Sequence, residues 1–390
     1  MSVTFDNTTA PTPGGRSPLD PQVRSQSVAP PRPARWHGVA GLSSRVLSVI
    51  ALVVLLAFFA GIPVLQVLGF GYLLAASGRV ARSGRLRDGA PGLSRMPGVI
   101  AVTLALLPWL VGVWLTRRLT RESLLIDPES SSRQLTQIAG QLVALAIGMH
   151  LISGLLRMPR ARSCYQPVTN FAWLLGEVRS QSLLRTVYQR LAQAGETFQL
   201  PLLFKLGVSC YVTTIMWLAV PNWLLMDGPR HPVRAWIGGS MLTLVAMHLP
   251  VLQAQLATQP KWWIAFDLPR AWRSLACAPL RWLVAGALAL LLPLPLYVLK
   301  FHAFPGDALW LVTPLVVVVL WFVRVVTGWA AYSGAHEGVT RSVTVVWLSR
   351  VPLLVVAGFY AVVVYYFQYL GWNGAAELWS QHAFLLPNVF

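Results

Sequence analysis

Acidic side chains are scarce in this sequence. Of 390 residues only 13 are Asp or Glu, and 11% are charged at all. A carboxylate-based site would have to draw on Asp267, Asp307, Glu337 or the acidic residues near 122–129, and these form no recognisable constellation. Lysine is rarer still: Lys205, Lys261 and Lys300 are the only ones. The three cysteines, Cys164, Cys210 and Cys277, are odd in number, widely spaced and without a C-x-x-C pair. That excludes a disulfide framework and argues against a zinc site, leaving reduced, structural thiols.

Catalytic signatures are missing too. His336-Glu337 begins like a zinc-protease helix, but Thr340 stands where the second histidine belongs. No G-x-S-x-G elbow, Walker loop or G-x-G-x-x-G is found. The Gly69-Phe70-Gly71 triplet lies inside an apolar run with no phosphate-binding helix after it. No catalytic residue, cofactor or metal is assigned, and the balance leans away from an enzyme.

What is present is apolar length: 55% of the chain is hydrophobic. About 20 apolar residues at 1.5 Å each cover a hydrocarbon core of roughly 30 Å. The run Val46–Ala76 exceeds that, and Gly61-Ile62-Pro63 interrupts it at its middle. Proline removes an amide donor and clashes with the preceding turn, so a kink or break is expected there. The run reads either as one long, kinked crossing or as two half-length arms of a re-entrant hairpin. Seven further segments follow: Val99–Leu115, Ile138–Leu156, Leu202–Leu225, Ala235–Leu256, Trp282–Leu299, Leu309–Tyr332 and Val351–Leu370. The expected fold is all-α, a polytopic integral membrane protein with 7–8 transmembrane helices whose first apolar segment is broken or re-entrant.

The formal net charge of +18 would suggest nucleic acid in a soluble protein. Here the arginines cluster between apolar runs, where they set topology and meet anionic headgroups. The lipid bilayer is the expected partner, other membrane proteins are further candidates, and nucleic acid is not expected. Arg79, Arg82, Arg85 and Arg87 form the strongest topology-setting loop, flanked on the other side of the first run by Arg32, Arg35 and Arg45. Basic stretches recur between Arg157 and Arg190, Lys261 and Arg281, and Arg341 and Arg350, so these alternate loops are predicted to be cytoplasmic and the C-terminus outside. Thr116–Gln134 is a partial exception, because its arginines face Glu122, Asp127 and Glu129.

Residues 1–40, rich in Pro, Ser, Thr and Arg, read as a disordered basic arm. Residues 41–376 read as the transmembrane domain and 377–390 as a short tail. A cytoplasmic amphipathic segment is expected near 165–195, where Leu184, Val187, Tyr188 and Leu191 share a helical face. Lys261-Trp262-Trp263 through Trp272-Arg273 mixes aromatic and basic residues as headgroup-depth segments do.

Polar residues inside apolar spans are the default functional candidates. His150, His248, Gln253 and Arg324 form that set. Interhelical hydrogen bonding is the plainer reading for the histidines, and snorkelling to the cytoplasmic edge for Arg324. Gly140, Ala144 and Gly148 recur every four residues and are predicted to form a helix-packing ridge.

The join GYLLAASGRVARSGRLRDGAPG, residues 71–92, with the broken apolar run before it, resembles a bacterial multi-pass membrane-protein family, domain of unknown function 4013. LPLYVLK (294–300) and RVVTGWAAYSGA (324–335) are similar to stretches of such proteins. The resemblance implies a bacterial inner-membrane location and brings no activity or catalytic residue. The expected role is a non-enzymatic scaffold or a subunit of an envelope complex. A transporter or permease-like protein is the alternative, and an intramembrane lipid-acting enzyme the third.

Overall fold

The first apolar run breaks where Pro63 marks it. Gly61 and Ile62 separate α1 (Val39–Ala60) from α2 (Pro63–Ser83). Ile62 is extended, and Pro63 opens α2, where a missing amide hydrogen costs no intrahelical bond. The computed structural model describes residues 39–126, 132–226, 228, 230–296, 309–336, 341–370, 374–380 and 382. Almost all of the 1–40 arm, Asp127, Glu129, Asp307, Glu337 and the tail from 383 on therefore lie outside the described residues.

The arms of the run are longer than expected. They are not half-length: each is about 32 Å long, enough for a full crossing. Nor do they make one kinked rod, since Leu52 and Leu56 of α1 line the same cavity as Tyr72 and Ala75 of α2. In a continuous helix Leu52 and Tyr72 would stand about 30 Å apart. The run is a hairpin with full-length arms, and its second arm continues through Arg79 and Arg82. Charge does not end α2. Gly84 does, in the left-handed conformation at φ 69. Its N–H is donated to the Val80 carbonyl at 2.8 Å, a common way to satisfy the last carbonyls of a helix.

The remaining helices are α3 (Met96–Ile126), α4 (Ser132–Arg157), α5 (Pro167–Arg179), α6 (Leu183–Thr197), α7 (Leu200–Leu225), α8 (Pro232–Thr258), α9 (Leu268–Cys277), α10 (Pro279–Leu291), α11 (Leu309–His336), α12 (Val343–Leu370) and the short α13 (Glu377–Ser380). No strand occurs among the described residues. Nine segments of them are long and apolar enough to cross a membrane, because the first run supplies two. The chain is thus an all-α, multi-pass membrane protein. The predicted loop at Thr116–Gln134 is helical as far as Ile126, and Arg118 and Glu122 pair across one turn at 2.8 Å.

α2 is the hub. A Cβ on Gly71 would lie 1.9 Å from the Leu203 carbonyl oxygen of α7, and one on Gly207 2.1 Å from that of Val67. The two helices therefore cross with backbone almost against backbone, as small residues permit in membranes. Gly78 meets the Ala257 carbonyl of α8 in the same way, and Gly328 of α11 meets that of Ser77. Two apolar cores result. One gathers Leu52, Phe70, Leu74 and Leu320, the other Leu242, Trp282, Tyr360 and Phe367.

The α3–α4 hairpin stands apart from this packing. Only 6% of the α3 span is buried, against 61% for α2. The hairpin holds to the 3-10 turn Ala161–Tyr165 and to α5 through a small core of Ala105, Leu151 and Cys164. In the predicted packing ridge, Gly140 faces the Thr120 hydroxyl, where a Cβ would lie 2.8 Å away, while Gly148 has nothing within 4 Å among the described residues. Close approach on this ridge is confined to its first residue; the closest glycine-to-backbone approaches of the fold lie where α2 meets its neighbours, at Gly71, Gly78, Gly207 and Gly328.

Two amphipathic elements flank the bundle. On α6, Leu184, Tyr188 and Leu191 are all exposed along one face. The 3-10 turn Trp262–Phe266 leaves the rings of Trp262 and Trp263 outside but buries Ile264 and Ala265, with the Trp217 indole donating to the Ala265 carbonyl at 2.9 Å.

Candidate functional site

Among the described residues, four groups of buried polar side chains stand out. The most central lies where α2, α7, α8 and α11 meet. Arg324 of α11 donates through Nη1 to Gln253 Oε1 of α8 at 2.5 Å, and Gln253 Nε2 donates to Thr214 Oγ1 of α7 at 2.8 Å. Cys210 Sγ lies 3.8 Å from the same hydroxyl. The guanidinium also sits 5.2 Å from the centre of the Phe70 ring of α2. Each of the four helices thus contributes to the node. Arg324 is 4% exposed, so it does not snorkel to the membrane edge; Gln253 offers a nearer acceptor inside the bundle.

His150 belongs to a separate node under the α3–α4 hairpin. Its Nε2–H points at the Cys164 carbonyl (2.9 Å), and its Nδ1 accepts from Asn170 Nδ2 (3.2 Å), which also donates to the Ser163 carbonyl at 2.8 Å. Trp109 and Phe171 flank the ring at 4.8 and 6.3 Å. These bonds pin α4 to the Ala161–Tyr165 turn and to α5.

His248 joins neither group, although it lies on the same helix as Gln253 and little more than a turn away. Its Nδ1–H donates to the Leu244 carbonyl of its own helix at 2.8 Å. Its ring lies 4.9 Å from Trp272 of α9, over which Arg350 of α12 stacks at 4.2 Å. Nε2 is buried with no hydrogen-bond partner among the described residues.

The fourth node carries no residue that the sequence singles out. Asn222 of α7 donates to the Leu378 carbonyl at 2.9 Å and to His382 Nε2 at 3.1 Å, and His382 Nδ1–H then points at Tyr360 Oη of α12 at 3.1 Å. Burial lowers the His382 pKa to about 4. The start of the expected tail is therefore clasped between α7 and α12.

The basic loop lies at the ends of three helices. Arg79 of α2 reaches Gln199 Oε1 at 3.4 Å, beside the start of α7. Arg82 reaches the Ala257 and Thr258 carbonyls at the end of α8, and Arg95 donates to the Thr197 carbonyl. Arg79 lines two cavities at once, an apolar one of about 490 Å³ running in between α1 and α2, and a polar one of about 440 Å³ with Arg82, Ser83, Arg87, Asp88 and Ala90. Among the described residues no group of three or more His, Cys, Asp or Glu could hold a metal ion.

Structure thus brings Gln253 and Arg324 together, and holds His150 and His248 each elsewhere. Thr214 and Tyr360 complete the nodes but are ordinary within apolar helices, and Asn170 lies outside the predicted spans; Asn222, inside Leu202–Leu225, carries the same signal as Gln253 and is open to the same reading. Fold and polar nodes define a multi-pass helical membrane protein. Compared with known proteins, the chain matches no family model, no curated protein and no solved structure.

Proposed function

We propose that this chain is a non-catalytic integral membrane protein, a scaffold or one subunit of an envelope complex, in a bacterial inner membrane with its basic loops cytoplasmic. The observation that carries this reading is the α3–α4 hairpin. The first of its helices, α3, is about 46 Å long. It commits almost none of its apolar surface to its own bundle. Leu104, Leu107, Val111 and Trp114 are all exposed along it. Such a face suits the transmembrane helices of another protein, docked by close packing. In addition, the buried polar groups of Arg324, Gln253 and Thr214, and those of His150 and Asn170, bond one helix to the next. Their work is fastening. The positive-inside rule supports the orientation, and the resemblance at residues 71–92 supports the bacterial membrane.

The test is extraction from the native membrane in mild detergent, followed by measurement of what accompanies the chain in fixed ratio. A stoichiometric membrane protein that is lost when Leu107, Val111 and Trp114 are together replaced by alanine is the expected result. A solitary particle of unchanged mass would refute the subunit reading and turn attention to transport assays on His248 and Arg324.

A further inference from the structure

We propose, beyond the scaffold reading, that the cavity between α1 and α2 is a binding site for one anionic phospholipid, its acyl chain held between the two helices and its headgroup phosphate on Arg79 and Arg95. The cavity is two-natured. Inside, Leu52, Leu56 and Phe59 of α1 face Leu68 and Tyr72 of α2. At its mouth stand Arg79 and Arg95, with Ser94 and Gln199 beside them. Its volume is about 490 Å³, within the range of ordinary ligand sites, roughly 300–1,000 Å³.

Polarity and place identify the occupant. A wholly apolar ligand would leave the two guanidinium groups at the mouth without an anion, and a free phosphate would leave the apolar chamber empty. A lipid with a negative headgroup satisfies both halves. The mouth also lies where α2 runs out into its basic loop, which is the level of headgroups in a bilayer. Arg79 holds a long 3.4 Å bond to Gln199 Oε1, a neutral acceptor that leaves its charge uncompensated. Beyond it, the polar basin sets Arg79, Arg82 and Arg87 against a single carboxylate, Asp88. A second anionic group on the same headgroup would find its counter-charge there. The Tyr72 hydroxyl is not part of the contact, since it donates to the Pro91 carbonyl at 2.9 Å and ties α2 to the connection that roofs the cavity.

The experiment uses the full-length protein purified in detergent, read by native mass spectrometry and by thermal stability as phosphatidylglycerol, phosphatidylcholine or inorganic phosphate is added. One phosphatidylglycerol per chain is expected to survive desolvation and to raise Tm, with phosphatidylcholine about tenfold weaker. Arg79→Gln and Arg95→Gln are each expected to weaken retention about fivefold, the scale of one basic residue at a headgroup surface. Leu56→Trp fills the chamber and leaves both arginines, so it should abolish retention as well. Arg118→Gln, at the far end of α3, is the control and should change nothing. Equal binding of both lipids, or full retention by Leu56→Trp, overturns the proposal. So does an equal shift from inorganic phosphate alone, which would make the mouth a plain anion site. If Arg79→Gln fails to fold, Arg95→Gln on an exposed side chain still decides the headgroup half.

Discussion

The helices around α2 and the α3–α4 hairpin solve the same problem in opposite ways. Both are apolar rods long enough to span a bilayer, yet α2 is mostly enclosed by its neighbours and α3 is almost bare. Apolarity is common to both and cannot be the cause. The difference is how closely a neighbouring backbone can come. On α2, Gly71 and Gly78 let the carbonyls of α7 and α8 approach to contact, and Gly328 of α11 does the same from the other side. On α3, Gly98 and Gly112 have nothing within 4 Å among the described residues. In lipid, where tails are as apolar as leucine, close packing and internal hydrogen bonds decide which helices associate. The hub has both. The hairpin has one polar node, at His150, where Gly154 also lies close to Asn170 and the Ser163 carbonyl.

The comparison can be broken most severely at the glycines. Gly71→Ala or Gly207→Ala pushes a methyl into a backbone carbonyl that cannot swing away, and overpacking of this kind costs about 1–3 kcal/mol or more. We expect the largest loss of thermal stability in detergent here, and unchanged stability would show that the crossing is not needed. Next in size is the Arg324 node. Arg324→Met removes the charged donor from the buried Gln253 Oε1, at a cost of about 1–3 kcal/mol, and the double variant with Gln253→Leu should recover part of it. Additive losses in that cycle would show that the two side chains are not coupled.

The C-terminal clasp adds a dependence on pH. The His382 pKa in the folded state is about 4. That lies below the ordinary histidine value near 6.5, so the unfolded or released state binds the proton more readily. Stability from this group is complete above about pH 6.5 and is lost as pH falls towards 4. Hydrogen exchange at Leu378 should rise over that window, and His382→Gln should remove the pH dependence. The smallest effects belong to the hairpin. Gly140→Ala meets a single side-chain hydroxyl, that of Thr120, which must shift against its 2.8 Å bond to the Thr116 carbonyl, and should cost about 1 kcal/mol, less than the backbone clashes on α2. Gly148→Ala should cost nothing measurable, and a large loss there would mean that something packs on it.

Much of this architecture is legible in the sequence, for a plain reason: hydropathy marks spans, and a helix lies at each of them, although α3 and α12 run past the predicted bounds and the end of Trp282–Leu299 lies outside the described residues. Gly61-Ile62-Pro63 also marks the break in the first run. The lengths of its two arms are not legible, because Arg79 and Arg82 look like loop while the helix carries them on to Gly84. Side-chain charge does not end a helix; a left-handed glycine does. Pairing is a different matter. Gln253 and Arg324 stand out separately as polar residues in apolar helices, but nothing local joins positions so far apart in the chain. The glycine ridge is a second case. Gly140, Ala144 and Gly148 have the more familiar spacing, yet Gly71 and Gly78, two turns apart and so also on one face, are the ones that meet neighbouring backbones. Which face meets a partner depends on the rest of the fold, and four-residue spacing alone does not carry that information.

The most direct test of the account is photo-crosslinking in the native membrane, with a photoreactive side chain placed at Leu107 or Val111 on α3 and, for comparison, at Leu74 inside α2. A discrete protein adduct of one mass is expected from both α3 positions, and only intramolecular products from Leu74. Lipid adducts alone from α3 would contradict it, and would leave the hairpin a membrane-facing arm rather than a docking face.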